Sequence, residues 1–343
     1  MADATLRKVA HRAGVHYATA SRALDPRRQS MVRPETRARV ERAARELSYR
    51  PDLGARGLRK GETRTIGVVV ANLGNPFIAP VLTGITDVLE DAEFVPVFAD
   101  SRDDSARLRR LIELLLSRRV DGLIVSAARL ADGPQIAGLA NQGVPVVLAA
   151  RALLDSDLPS VTFDGHRAGE LVAGHFVRLE HEVLAQIEGP ADIASFVERG
   201  TGFRAAAARL GARVLEISEP AATPDIEEGH RVMTMLLGRR ERPTAVFAHN
   251  DLLAVGALDA IREAGLSCPE DVSVIGHDDS PLVQRLQPPL TTIATPGHEL
   301  GRLAGTMVLD LLRAPDARPV SVALAPTLVV RGSTALRAHE ADW

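Results

Sequence analysis

From Thr65 onward, short β-branched runs alternate with stretches of helical periodicity over about 270 residues. The apolar runs predict nine strands, at 66–71, 94–99, 122–125, 144–149, 161–163, 183–187, 214–217, 245–248 and 272–275. Helices are predicted between them at 77–91, 105–119, 167–179, 194–210, 227–237 and 252–264. Such alternation indicates parallel sheets covered by helices on both faces. This length of chain predicts two such lobes.

Polar residues follow several of the predicted strands. In open α/β sheets, ligands bind beyond the carboxyl ends of the strands. The candidates for a binding site are therefore Asn75, Arg151, Asp164, Asn250 and Asp278. Structural alternatives stay open, since Asn250 could cap the helix that follows it and Asp278 could serve a turn.

The first 50 residues have a different, helical pattern. Apolar residues on one face predict a helix over 6–13, Gly14 predicts a tight turn, and a second short helix is predicted over 17–24. A third helix is predicted over 34–47, because Pro34 suits a first helical position. The first two helices form either a helix-turn-helix, whose second helix enters the DNA major groove, or an ordinary corner of two helices.

Charge is distributed unevenly along the chain. Residues 1–61 hold 15 basic and 6 acidic residues, a net charge of +9, whereas the remaining 282 residues hold 26 basic and 38 acidic ones. A basic head on an acidic body indicates a nucleic-acid contact surface in the head. The alternative, a solvated charge-rich helix, explains single arginines but not the whole head.

The head is followed by the segment PDLGARGLRKG, residues 51–61. It contains Leu53 and Leu58, which suit a helix, and also Gly54 and Gly57. Each interior glycine costs a helix roughly 1 kcal/mol relative to alanine. We therefore expect a marginal helix that needs a partner to order it; a plain flexible linker is the alternative.

Several protein classes are not supported by the sequence. The single Cys268 excludes an internal disulfide framework and fits a reducing cytoplasm. The polar N-terminus has no signal-peptide core, and no apolar run approaches the roughly 18 residues of a membrane span. The ten histidines show no metal-ligand spacing, so neither a metal nor a cofactor is expected. No nucleophile elbow or phosphate loop occurs, and GTGFRA at 200–205 lies inside a predicted helix.

Distinctive motifs are spread along nearly the whole chain. In the head they are TLRKVAHRAGV, ATASRAL, VRPETRARV and LSYRP. In the body they are IGVVVANLGNPF, RRVDGLIV, GVPVVL, FAHNDLLAVGALDAI, EDVSVIGHDD and PPLTTI. In their order and spacing, these motifs resemble the lactose-repressor (LacI/GalR) family of bacterial transcription regulators.

The resemblance implies three parts: an all-α helix-turn-helix DNA-binding domain at 1–50, a hinge helix at 51–62, and an α/β core at 63–343 like periplasmic sugar-binding proteins. The N-lobe is expected at 63–162 plus 294–320, and the C-lobe at 163–293 plus 321–343. It further implies a homodimeric repressor that binds near-palindromic double-stranded operator DNA. A small-molecule effector, expected to be a carbohydrate, would bind between the lobes and control DNA affinity.

The resemblance also assigns residues. Tyr17, Ala18 and Arg22 would face DNA bases, Thr5 and Ser21 would contact phosphates, and Leu58 would enter the minor groove. For Leu58, simple packing is the alternative. The effector would contact Asn75, Phe77, Arg151, Phe163, Arg199, Asn250 and Asp278.

Some positions depart from the family pattern and leave the effector's identity open. His16 replaces the usual serine N-cap of the second helix, Ala150 replaces an aspartate, and Glu188 replaces a glycine. Two other protein classes share the body's pattern: a sugar-binding protein of a transport system without a DNA role, and an enzyme on the same frame. The basic head argues against the first, and the absence of a nucleophile–base constellation argues against the second.

Overall fold

A computed structural model describes residues 5–25, 28–49, 62–153, 156–217, 219–315, 318 and 320–337. The chain divides into a small unit over Met1–Thr63 and a large unit over Arg64–Trp343. Residues 50–61 lie outside the described residues, and with them nearly all of the expected hinge, including Leu58. Within the described ranges, no helix is long and apolar enough to cross a membrane.

The described residues of the small unit form three α-helices, α1 (Leu6–Arg12), α2 (Tyr17–Ala23) and α3 (Pro34–Glu46). Val9, Ala20 and Val40, one from each helix, are fully buried at the centre of its core. Gly14 has φ +63° in the turn between α1 and α2, a conformation that favours glycine. The helix-turn-helix prediction is confirmed at this level, with helix ends within a residue of those expected.

The large unit contains two six-stranded sheets, each the centre of one lobe. The first sheet has the order β11-β5-β4-β3-β1-β2, and its neighbouring strands are parallel. Its strands are β1 (Thr65–Val70), β2 (Val95–Asp100), β3 (Gly122–Ser126), β4 (Val146–Ala149), β5 (Ser160–Phe163) and β11 (Ser321–Leu324). The helices of this lobe are α4 (Ile78–Asp91), α5 (Ser105–Ser117), α6 (Gly133–Asn141) and α11 (Gly297–Arg313). Apolar clusters on both faces of the sheet confirm the expected covered parallel sheet.

The second sheet has the order β12-β10-β9-β8-β6-β7. Its strands are β6 (Val183–Ile187), β7 (Arg213–Leu215), β8 (Ala245–Ala248), β9 (Ser273–Asp278), β10 (Thr291–Ala294) and β12 (Thr327–Val329). The helices of this lobe are α7 (Gly165–Arg178), α8 (Ala194–Arg209), α9 (Ile226–Leu237) and α10 (Asp251–Glu263). Strand β12 is antiparallel to β10, so this sheet departs from the all-parallel prediction at one edge.

The structure corrects the expected lobe boundary. Residues 321–324 were assigned to the second lobe, but they form β11 and pair in parallel with β5 of the first sheet. The chain therefore crosses between the lobes after β5, after β10 and again after β11. Sequence patterning could not locate this last crossing, because β11 is a short, half-exposed edge strand whose pairing partner β5 lies far away in the sequence.

The apolar patterns do not predict two of the helices and three of the strands in the large unit, namely α6, α11, β10, β11 and β12. Helix α11 carries Gly297, Gly301 and Gly305, which lower helix propensity. The structure explains the central one, because a Cβ on Gly301 would lie 2.0 Å from the carbonyl oxygen of Val81 on α4. These glycines allow α4 and α11 to pack backbone against backbone.

Candidate functional site

Helix α2 carries four of the six residues that the sequence predicts to contact DNA. Arg22 is exposed, while Tyr17, Ala18 and Ser21 are half-buried on the same short helix. The His16 side chain caps this helix, since its Nδ1 accepts a hydrogen bond from the Ala18 N–H at 3.3 Å. An imidazole thus performs the capping that serine performs in the family pattern.

Thr5 performs the corresponding task for α1. Its hydroxyl accepts a hydrogen bond from the Lys8 N–H at 3.4 Å, so part of its hydrogen-bonding capacity serves the helix start. A threonine oxygen at this place lies beside the exposed N–H groups of a first helical turn, which favour an anion. This geometry is compatible with the phosphate contact predicted for Thr5.

In the large unit, the carboxyl ends of the two sheets face each other across a cleft between the lobes. A cavity of about 60 Å³ lies there, well below the 300–1,000 Å³ of typical ligand pockets. The residues predicted to contact an effector all line it: Asn75, Phe77, Arg151, Phe163, Arg199, Asn250 and Asp278. Asp164, the remaining strand-end candidate, instead caps α7 through a hydrogen bond from the Arg167 N–H at 2.8 Å.

The first lobe supplies an aromatic wall to the cleft. The rings of Phe77 and Phe163 meet edge to face, with centroids 5.9 Å apart and an interplanar angle of 72°. Asn75 fixes the approach to α4, because its Oδ1 accepts a hydrogen bond from the Phe77 N–H at 3.0 Å. Two rings that pack on each other leave apolar surface for the carbon face of a ligand.

Arg151, which follows β4, is held by a carboxylate that the sequence analysis did not single out. Its Nη1 lies 2.6 Å from Oδ1 of Asp103, and the two side chains are only 11% and 10% exposed. Asp103 comes from the loop after β2 and has φ +54°. Its N–H donates to the carbonyl of Ala71 at 2.8 Å, which draws this loop over the end of β1.

Arg199 enters the cleft from α8 of the second lobe. Its Nη1 donates to the backbone oxygen of His249 at 2.6 Å, and its guanidinium lies 5.2 Å from the ring centroid of Phe196. Its Nε is buried and has no hydrogen-bond partner among the described residues. Burial lowers the pKa of Arg199 to about 10, partly offset by the charge of Asp278. A buried guanidinium with an unused N–H is a donor placed for a ligand oxygen.

The carboxyl groups of Asp251 and Asp278 interact electrostatically with Arg199. Burial raises the pKa of Asp251 to about 8, with the neighbouring Asp278 adding to the effect, and burial raises that of Asp278 to about 7 while Arg199 opposes the shift. Asp251 accepts hydrogen bonds from the Ser280 N–H and the Thr292 hydroxyl, both at 2.7 Å. Asp278 has φ +118°, a strained backbone that directs its side chain at the cleft.

Asn250 fulfils the structural alternative and also lines the cleft. Its Oδ1 accepts from the Leu253 N–H at 2.8 Å and so caps α10, while its Nδ2 donates to the carbonyl of Pro224 at 3.0 Å. Both ends of the amide are therefore engaged before any ligand arrives.

Sequence reasoning missed several groups at this site. Asp103 and Ser126 line the cleft, and the Ser126 hydroxyl is buried without a partner among the described residues. Both follow or end strands of the first sheet, so the strand-end rule could have found them. His249 and His277 are fully buried beneath Arg199, and burial together with Arg199 holds both pKa values well below the usual range.

The two lobes are joined at the rim of the cleft. Nη1 of Arg129 in the first lobe lies 2.8 and 2.7 Å from the two carboxylate oxygens of Asp192 in the second. The Leu130 N–H also donates to the backbone oxygen of Asp192 at 2.8 Å. We call these contacts the rim latch. Among the described residues, no three His, Cys, Asp or Glu side chains are arranged to hold a metal ion.

Two family profiles match the chain. The one described as "Bacterial regulatory proteins, lacI family" matches residues 5–52, and the one described as "Periplasmic binding protein-like domain" matches residues 173–334. The first covers the three-helix unit, and the second covers most of the second lobe, α11 and β11.

Proteins of similar sequence and structure span nearly the whole chain. The HTH-type transcriptional repressor CytR of Escherichia coli (strain K12) is 33% identical over 332 residues, which cover 96% of each protein. A lac repressor dimer bound to operator and the anti-inducer ONPF is 28% identical with a TM-score of 0.85, over 97% of this chain and 99% of that one. A complex of the transcriptional regulator CelR with cellobiose is 30% identical with a TM-score of 0.73, over 96% and 100%.

Proposed function

This chain belongs to the lacI family of bacterial regulatory proteins, and we propose on that basis that it is a homodimeric transcriptional repressor controlled by a small polar effector. Members of this family are transcriptional repressors and not enzymes. The observation that carries the effector half of the proposal is the convergence of all seven predicted contact residues on one cleft between the lobes.

The small unit would bind the operator. Helix α2 presents exposed Arg22, whose guanidinium has the geometry for two hydrogen bonds to a guanine edge. The net charge of +9 over residues 1–61 supplies the non-specific attraction to phosphates. In this proposal Tyr17 and Ala18 also face bases, Thr5 and Ser21 contact phosphates, and Leu58 of the hinge enters the minor groove.

Two copies would place two such heads on a near-palindromic site. The large unit has a surface suited to self-association, because edge strand β2 exposes Val95, Val97 and Phe98. An edge strand with exposed apolar side chains is a surface that a second chain can cover.

Effector binding would act through the separation of the lobes. The cleft of about 60 Å³ is too small for a carbohydrate, so a ligand of that size has to widen it. Since the lobes share three crossings and the rim latch, widening moves one lobe against the other as a body. Coupling of this movement to the heads is allostery between two distinct sites.

A screen followed by one substitution tests the proposal. Sugars including D-ribose and cellobiose would be screened for a rise in melting temperature, because a ligand of the native state stabilises it by mass action. An operator sequence would be selected from a random DNA pool, and its affinity for the protein would be measured by fluorescence anisotropy. This affinity should change when a stabilising sugar is added. Arg199→Met should abolish this response and leave operator affinity within twofold of the parent.

Arg209→Met is the matched control, since Arg209 lies on the same helix but its side chain is 63% exposed. It should leave the effector response unchanged. Retention of the full response by Arg199→Met would place the effector elsewhere, and failure to select any DNA sequence would refute the repressor assignment.

A further inference from the structure

The charged residues of the cleft divide evenly between the two lobes. Among the described residues that line it, Asp103 and Arg151 come from the first lobe, and Arg199 and Asp278 come from the second. Each lobe therefore contributes one carboxyl group and one guanidinium. The two halves differ in how these groups are bonded, because Arg151 is paired with Asp103, whereas Arg199 donates to the backbone oxygen of His249.

In the first lobe the guanidinium is already neutralised. Arg151 and Asp103 form an ion pair at 2.6 Å in which both side chains are about nine-tenths buried. Oδ2 of Asp103 receives no hydrogen bond from a described residue, so this oxygen stays available as an acceptor at the cleft surface. An anionic ligand group here would have to break the pair or lie beside a carboxylate, and both are unfavourable in a desolvated site.

The Ser126 hydroxyl is a further polar group in the first-lobe half of the cleft. Ser126 is 3% exposed, lines the cleft, and its Oγ has no hydrogen-bond partner among the described residues. A buried hydroxyl of this kind both donates and accepts. It lies at the end of β3, the strand next to β4, and Arg151 follows β4.

The loop that carries Asp103 is fixed by its backbone. Its N–H bonds to Ala71, and its carbonyl accepts from Nε of Arg129 at 3.1 Å, the same arginine that forms the rim latch. Asp103 is thereby held at φ +54° by contacts other than its pairing with Arg151. The carboxylate is thus placed in the cleft by the loop and not drawn there by the arginine alone.

We infer that Asp103 is a specificity-determining residue that makes the first-lobe half of the cleft select the uncharged, hydroxyl-bearing end of a ligand and reject phosphate or carboxylate. Neighbouring hydroxyls of a polyol match this surface, because each can donate to Asp103 and accept from Arg151 or Ser126. The inference rests on the proposed effector function of the cleft. In this inference, the Asp103 carboxylate takes the place of the aspartate that the family pattern has at position 150, where this chain has Ala150.

The test removes the negative charge and measures binding of inorganic phosphate and of D-ribose 5-phosphate to the full chain by calorimetry. Asp103→Asn keeps an acceptor for Arg151 but leaves its charge uncompensated. Phosphate should bind this variant at least tenfold more tightly than the parent, and D-ribose 5-phosphate should show the same gain. Circular dichroism melting verifies that the variant is folded.

Three further variants make the outcome specific. Asp103→Asn with Arg151→Met should lose the gain, because the unmasked cation is gone. Asp103→Asn with Ala150→Asp should also lose it, since a carboxylate returns next to Arg151 at a position with φ +63°, which aspartate tolerates better than most residues. Asp310→Asn makes the same charge change at an exposed position of helix α11 and should show no gain.

The inference is overturned if the parent binds either phosphate as tightly as Asp103→Asn, or if that variant shows no gain. These results are separate from the effector proposal. A neutral sugar that alters operator binding, together with no phosphate gain in Asp103→Asn, would retain the effector role and refute the role of Asp103. A gain in phosphate binding by Asp103→Asn without any response to sugars would support the role of Asp103 and refute the effector role.

Discussion

Removal of the rim latch should make the cleft easier to widen. The latch joins Arg129 to Asp192 across the lobes, and the cavity beneath it is about 60 Å³. Because a carbohydrate needs a wider cleft, the latch stabilises the form that excludes it. Asp192→Ala should therefore tighten effector binding, and it should raise the association rate since opening precedes entry.

The expected size of this change in effector affinity follows from the solvent exposure of the Arg129 and Asp192 side chains. The Arg129 side chain is 16% exposed, but that of Asp192 is 48% exposed, so solvent screens the pair. Ion pairs of this kind contribute about 0.5–1 kcal/mol, which corresponds to roughly two- to fivefold in the effector dissociation constant. The backbone bond from Leu130 to Asp192 remains in the variant, so closure is weakened but not lost.

Two measurements check this prediction. Calorimetry with a sugar identified in the screen gives the dissociation constant, and Asp310→Ala, which removes an exposed pair on α11, is the control that should match the parent. Hydrogen exchange of the Leu130 amide should be faster in Asp192→Ala even without ligand. Unchanged or weaker sugar binding would show that the latch persists in the effector complex and would refute the reasoning.

Three other substitutions have defined outcomes. Arg22→Ala should weaken operator binding by about 1–3 kcal/mol and relax sequence preference in a selection experiment, while unchanged affinity would contradict the docking of α2. Gly169→Ala should lower the free energy of unfolding by about 1–3 kcal/mol in urea, because its Cβ would lie 2.3 Å from the backbone oxygen of Arg199 where α7 and α8 cross. Burial raises the pKa of Asp251 to about 8, above its ordinary value of 3.8, so its ionisation opposes folding and its contribution to stability declines from about pH 4 to pH 8. Asp251→Asn should flatten that decline in melting experiments from pH 5 to 8, and an unaltered pH profile would exclude Asp251 as its source.

The sequence determined those features that depend on neighbours along the chain. Helical periodicity and the turn at Gly14 placed α1, α2 and α3 within a residue of their observed ends. Apolar runs located the first nine strands, most of which are buried and therefore have few polar residues. The strand-end rule and the family resemblance together named seven residues that do meet in one cleft.

Tertiary structure decided the features that depend on residues far apart in the sequence. Nothing local indicates that Asp103, after β2, would meet Arg151, after β4, since two other strands separate these in the sheet. The glycines of α11 look unfavourable for a helix until the backbone of α4 is beside them. Edge strand β11 is half-exposed, so only its hydrogen bonds to β5 reveal which lobe it joins.

The same distinction holds for the balance of charge at the cleft. A sequence shows which ionisable residues are present, but pairing and desolvation depend on distances that only the folded chain fixes. Arg151 and Arg199 look equivalent in the sequence, as two arginines of one expected site. In the fold Arg151 is bonded to a carboxylate and Arg199 retains an unused N–H, because the loop after β2 folds over the first sheet and supplies a buried carboxylate to Arg151.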